Sequence, residues 1–138
     1  MKLRKTSPAE LWTLNFQLVM SVMNGVAPAV RAQGLEMKEF FLLGELDEHP
    51  NPADLARVLL TPKPTITFLV KRMEAAGYLR RELEPGDLRR FRLTLTASGR
   101  KAMEKARVIL DEAFGERLNR LTRAQRTELQ HLLERMVV

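Results

Sequence analysis

Five arginines, Arg80, Arg81, Arg89, Arg90 and Arg92, crowd the stretch around Pro85-Gly86-Asp87. A guanidinium stays charged at physiological pH and presents its donors as a planar fork that fits phosphate oxygens. Near the tip of a hairpin, such a group also suits a narrow minor groove. Glu82, Glu84 and Asp87 are the local carboxylates. Ion pairing within the segment is therefore expected to occupy one or two arginines and to leave a surplus for a polyanion. A second group lies just upstream: Lys63, Thr65, Thr67, Phe68, Lys71 and Arg72. Hydroxyls bond bases or phosphates, cations bond phosphates or guanine, and an apolar group can touch a thymine methyl. Taken singly these are ordinary surface residues, with Lys71 and Arg72 as solvated charges. Phe68 argues otherwise, because a solvent-facing ring calls for a partner or for cover from its own chain.

Other chemistries lack the residues they need. The 138-residue chain holds no cysteine, which removes disulfides, thiolate metal sites, cysteine nucleophiles and sensing by thiol oxidation. Its two histidines, His49 and His131, stand far apart and read as surface groups rather than ligands or bases. No phosphate-cradling glycine loop, nucleophile elbow or zinc-protease pattern occurs, and Asp111-Glu112 reads as a solvated helix face. The protein is expected not to be an enzyme and to carry no cofactor and no metal. A formal charge of +6 and an isoelectric point near 10.2 favour nucleic acid over an anionic membrane surface as partner. No run approaches the roughly 18 apolar residues of a membrane span. The basic start, Met1-Lys2-Leu3-Arg4-Lys5, leads into a polar stretch instead of the apolar core of a signal peptide. No membrane association and a cytoplasmic location are expected.

Positioning the basic groups falls to four helices, a hairpin and two more helices. Ser7-Pro8-Ala9-Glu10 is a capping box with proline at the first helical position. The helix it starts carries two adjoining apolar stripes, Leu11, Leu14, Leu18, Val22 and Trp12, Phe16, Val19, Met23, a wider face than one packing surface requires. Gly25 and Pro28 are expected to kink or split this helix, and Gly34 to close it. A second helix is predicted over 36–47, with Met37, Phe40, Phe41, Leu43 and Leu46 buried. Asn51-Pro52-Ala53-Asp54 starts a short third helix. The fourth is predicted from near Lys63 to 76, with Ile66, Leu69, Val70 and Met73 inward and Pro64, Phe68, Lys71, Arg72 and Ala75 outward. Gly77 supplies a left-handed stop. Strands are predicted over 78–84 and 90–95, with Phe91, Leu93 and Leu95 on one face and Arg90, Arg92 and Thr94 on the other. A long helix from Ala97 and a last one behind the capping box Thr122-Arg123-Ala124-Gln125 complete the chain.

Two short helices joined by a tight connection, then a basic ribbon, form a winged helix-turn-helix plan. The fold class is mainly α with a small β-hairpin wing. The runs Gly77-Tyr78-Leu79-Arg80-Arg81, Glu84-Pro85-Gly86-Asp87-Leu88-Arg89 and Leu93-Thr94-Leu95-Thr96-Ala97-Ser98-Gly99 resemble the MarR family of transcriptional regulators. Asp87 and Arg89 match its Asp-x-Arg wing signature; Leu95, Thr96 and Gly99 match its Leu-Thr-x-x-Gly; Pro64-Thr65-Ile66-Thr67 resembles the start of its recognition helix. Two departures are Leu88, where many members carry a second arginine, and Phe68, where a polar or basic residue is common. The resemblance implies a repressor of transcription that binds double-stranded DNA. It implies that Arg89 enters the minor groove while Asp87 stabilises the wing; Arg90 is a further candidate DNA contact. It further implies a homodimer built from 1–34 and 98–138, with 35–97 as the DNA-binding lobe. Family members often bind a small aromatic effector between these regions, and Met20, Met23, Arg31, Met37 and Phe40 are the candidate lining here, although ordinary core and surface packing is the favoured reading of these residues. The alternative is a winged-helix module that binds protein or RNA.

Overall fold

Caps and prolines set the helix starts, and left-handed glycines set the stops. The computed structural model describes residues 6–137, apart from the side chain of Leu88. The basic start at 1–5 lies outside the described residues, and with it the signal-peptide reading. Helix α1 is Pro8–Arg31, α2 Met37–Glu45, α3 Pro52–Val58 and α4 Lys63–Ala75; the strands are β1 Leu79–Glu84 and β2 Asp87–Leu95; α5 is Ala97–Leu118 and α6 Arg123–Val137. The Glu10 amide donates to Ser7 Oγ at 3.1 Å and the Ala53 amide to Asn51 Oδ1 at 2.8 Å. At α6, Gln125 N donates to Thr122 Oγ1 at 3.1 Å while Thr122 N donates to Gln125 Oε1 at 2.9 Å. Gly34 and Gly77 follow α1 and α4 with φ of 83° and 79°. The helix is not split at Gly25 or Pro28: α1 continues through both to Arg31. Proline there removes one hydrogen bond near the C-terminal end, and burial of Val26 and Val30 on either side offsets that loss.

The chain divides into two compact units, Ala27–Val108 and Met1–Val26 with Ile109–Val138. The first unit buries Leu35, Leu42, Leu43, Leu46, Leu55, Ile66, Leu79 and Leu93 almost completely. Phe41 and Met37, expected in this core, are only half-buried; Leu42 takes the inward place, and Phe41 stacks on Phe40 with ring centroids 5.5 Å apart.

Thr96 ties the hairpin to α5. Its amide donates to the Tyr78 carbonyl at 3.1 Å, its hydroxyl donates to the Gly77 carbonyl at 2.5 Å, and that same oxygen caps α5 by accepting from Gly99 N at 3.0 Å. Gly99 packs so tightly on Tyr78 that a Cβ would overlap the Tyr78 backbone. The Leu-Thr-x-x-Gly pattern is thus a strand end, a cap and a close backbone approach in one segment. Arg100 then bonds Asp47 through two parallel hydrogen bonds of 3.1 Å, and the bonded carboxylate raises the guanidinium's pKa above its ordinary value.

In the second unit, the apolar stripes of α1 remain largely uncovered: Leu11, Trp12, Leu14, Phe16 and Val19 are exposed, as are Leu132, Leu133, Met136 and Val137 of α6. A groove of about 600 Å³ lies along α6, lined by Phe114, Leu118, Leu129 and Leu133 among others.

Candidate nucleic-acid interface

Helix α4 sorts its residues as the 3.6-residue period requires. Ile66, Leu69, Val70 and Met73 are each at most 5% exposed, whereas Phe68 is 58% exposed and Pro64, Lys71, Arg72 and Ala75 also face solvent. Thr67 donates its hydroxyl hydrogen to the Lys63 carbonyl at 3.0 Å, which leaves the oxygen as an outward acceptor. Thr65 is half-buried. The turn between α3 and α4 closes when Thr61 N donates to the Ala56 carbonyl at 3.0 Å. Within it Leu60 takes φ of 49° and is 91% exposed, a conformation costly for a residue with a branched side chain and signalled by nothing in the sequence.

The hairpin is antiparallel, with Leu79 opposite Leu95 and Leu83 opposite Phe91. One step further the register jumps, and Glu84 pairs with Asp87. Residues 88–90 therefore have no counterparts and form a bulge beside the Pro85-Gly86 turn, where Gly86 takes φ of 87°. Bulges re-aim side chains, and this one carries Arg89 and Arg90. Asp87 Oδ1 accepts from Arg89 N at 3.0 Å, so the aspartate's contribution is to fold the bulge back on itself.

Pairing within the wing is more extensive than expected. Four of the five arginines meet carboxylates: Arg80 with Glu82 at 3.0 Å, Arg92 with Glu82 at 3.7 Å, Arg90 with Asp87 at 3.8 Å and Arg81 with Glu74 at 3.1 Å. Arg81 also lies over the Phe91 ring, 4.8 Å from its centroid. The sequence reading missed Glu74 as a partner because it sits on α4, outside the ribbon. Among the described residues, Arg89 has no carboxylate partner. The other pairs are solvent-exposed, and such pairs contribute about 0–1 kcal/mol, so a phosphate can compete for each arginine. Arg72 is not a free cation either: Nε lies 3.6 Å from Glu39 Oε2, and its guanidinium sits 5.8 Å from the Phe68 ring centroid.

Four of the eight expected DNA-contact residues share one groove. Lys63, Thr67, Arg89 and Arg90 line a space of about 290 Å³ with Asn51 and Phe91. Phe68, Lys71 and Arg72 continue the face along α4, and Thr65 sits at its flank. The candidate effector residues have separate fates: Phe40 is buried, Met23 and Met37 are half-buried, Met20 is exposed, and Arg31 pairs with Glu36 at 3.2 Å. At the end of α2, Glu45, Glu48 and His49 hold ligand atoms within 4.8 Å of one another, an accessible trio with no buried group to organise it.

An outward helix bearing hydroxyls, a ring and cations, set beside a bulged basic ribbon, defines a winged helix-turn-helix protein of the nucleic-acid-binding kind. Comparison with known proteins agrees: a profile of the MarR family matches residues 33–90. The HTH-type transcriptional repressor Rv2887 of Mycobacterium tuberculosis is 30% identical over 113 residues, spanning 80% of this chain and 81% of the relative. The chain belongs to the MarR family. The structure of Rv2887 in complex with p-aminosalicylic acid superposes with a TM-score of 0.73 at 28% identity, over 93% of this chain and 98% of that one. The Staphylococcus aureus MepR–DNA complex shares the fold, with a TM-score of 0.78 at 20% identity over 96% and 98% of the two chains. The relatives are transcriptional regulators, and among the described residues no helix is long and apolar enough to cross a membrane.

Proposed function

We propose that this MarR-family regulator is a cytoplasmic repressor that binds an approximately palindromic DNA duplex as a homodimer and is released by a small aromatic effector. The observation that carries the DNA reading is the groove shared by Lys63, Thr67, Arg89 and Arg90, continuous with the exposed side of α4. In this reading the α4 residues meet the major groove and Arg89 the adjacent minor groove. Lys63, Lys71 and Arg90 bond phosphate, and Thr65, Thr67, Phe68 and Arg72 lie nearest the bases. Two-fold symmetry sets the two copies of α4 about 34 Å apart, one helical turn of DNA. The dimer reading is supported by the uncovered apolar side chains of α1 and α6, too many large groups for a solvent face. The release reading is supported by the p-aminosalicylic acid complex of Rv2887.

An anisotropy titration of genomic fragments against random duplex and structured RNA tests the function. A preferred fragment is expected, with affinity falling steeply between low and physiological salt because phosphate contacts dominate. Equal binding to every duplex, or stronger binding to RNA, would defeat the reading. In the same assay, Asp87→Ala should weaken binding to the preferred fragment about 30-fold, as expected when a two-fold complex loses twice a hydrogen bond of about 1 kcal/mol that folds the bulge. Its melting temperature should stay near that of the unmutated protein, because Asp87 is exposed.

A further inference from the structure

Glu39 is a buried carboxylate that the interface just described does not use. It is 1% exposed, the one charged side chain in the core of the described residues. Its Oε1 accepts the Glu36 amide at 2.8 Å, half of a reciprocal box in which the Glu36 carboxylate accepts from the Glu39 amide. Its Oε2 is buried without any hydrogen bond. An ionised oxygen left unpartnered in the interior is costly, and the one cation facing it is Arg72, at 3.6 Å. The pairing is lopsided. The Arg72 side chain is half exposed while that of Glu39 is enclosed, so the carboxylate is the fixed member and the arginine the one that is aimed. The contact runs through Nε, the guanidinium borders the Phe68 ring, and its terminal nitrogens carry no bond among the described residues. Phe68 and Lys71, on the same helix, are exposed as well.

We propose that Glu39, enclosed in α2 and out of reach of any duplex, is a positioning residue for recognition: it fixes the direction in which the Arg72 guanidinium leaves α4. The proposal rests on the reading of α4 as the duplex-facing helix. An arginine on a free stem samples many rotamers and loses them on binding. One drawn at Nε toward a buried carboxylate and flanked by a ring presents its outer nitrogens in fewer orientations, which favours discrimination between base edges.

Glu39→Gln separates this role from a structural one. Glutamine keeps the acceptor for the Glu36 amide and replaces the oxygen facing Arg72 with an amide donor. The expected result is an affinity for the preferred fragment reduced about tenfold, with random-duplex affinity and the salt slope unchanged. Arg72→Gln should give a similar loss of preference, and the double variant no more than either alone. A Glu39→Gln protein with undiminished preference, or an Arg72→Gln protein that discriminates normally, overturns the proposal and leaves the DNA reading standing. Absence of any preference in the unmutated protein overturns both. If Glu39→Gln fails to fold, nitrogen NMR of the unmutated protein decides. Arg72 Nε is expected to give a signal of its own, set apart by the Glu39 carboxylate 3.6 Å away and by the Phe68 ring, while that of Arg89 is averaged. Equal averaging of the two overturns the proposal.

Discussion

Arg89→Ala is expected to weaken binding to the preferred duplex by about 100-fold or more while leaving the melting temperature unchanged. Arg89 is the wing arginine without a carboxylate partner among the described residues, and it sits on the 88–90 bulge beside the groove shared with Lys63 and Thr67. One well-placed arginine contact contributes about 1–3 kcal/mol, and a two-fold complex loses it twice. The folded chain loses little, because substitutions of exposed groups away from caps and cores usually change stability by less than about 0.5 kcal/mol. Arg80→Ala is the control. Its guanidinium is engaged with Glu82 and lies away from the bulge, so the expected loss is a fewfold. Anisotropy at fixed salt measures both variants, and equal losses from the two would remove the special place of the bulge.

Gly99→Ala is expected to destabilise the protein by about 3 kcal/mol or more. The added methyl would run into backbone atoms of Tyr78, and that carbonyl is already committed to Thr96 N at 3.1 Å. Overpacking against side chains costs about 1–3 kcal/mol because rotamers can yield; a carbonyl tied into the strand end cannot. For a chain of this size the loss amounts to roughly 10 °C in melting temperature, readable by circular dichroism. Gly115→Ala on the same helix offers a contrast. A Cβ there meets nothing within 4 Å, and alanine in place of a mid-helix glycine is expected to stabilise by up to about 1 kcal/mol. If Gly99→Ala melted with the unmutated protein, the close approach to Tyr78 could not be what the glycine serves.

Much of the architecture was legible because local signals agreed with the tertiary structure. The inward four of α4 followed from period alone, and Asn51-Pro52, Thr122 with Gln125, and Gly77 marked helix ends through their own hydrogen-bonding and φ preferences. Glu39 was missed because carboxylates are read as solvent-seeking. Its spacing held the clue: it lies four residues after Leu35 and three and four before Leu42 and Leu43, all buried. The bulge at 88–90 was not legible, since strand register is settled by which residues of two strands meet across space. The ion pair of Arg81 with Glu74 joins α4 to β1 around Gly77, a proximity that ribbon composition cannot reveal. Pro28 shows the reverse case, a strong local breaker overridden near the end of a long helix.

The paired wing has a consequence for how the protein searches a genome. With Arg80, Arg81, Arg90 and Arg92 each held by a neighbouring acid, the ribbon meets arbitrary sequence as a weakly charged surface rather than as a brush of five free cations. Each phosphate contact made by one of these four arginines replaces an ion pair that contributes about 0–1 kcal/mol, so the net gain per contact on arbitrary sequence falls by up to that amount. In the proposed complex, where α4 seats in the major groove, several of these exchanges are made together, so the acids of the wing trim non-specific attraction modestly while leaving the arginines open to phosphate.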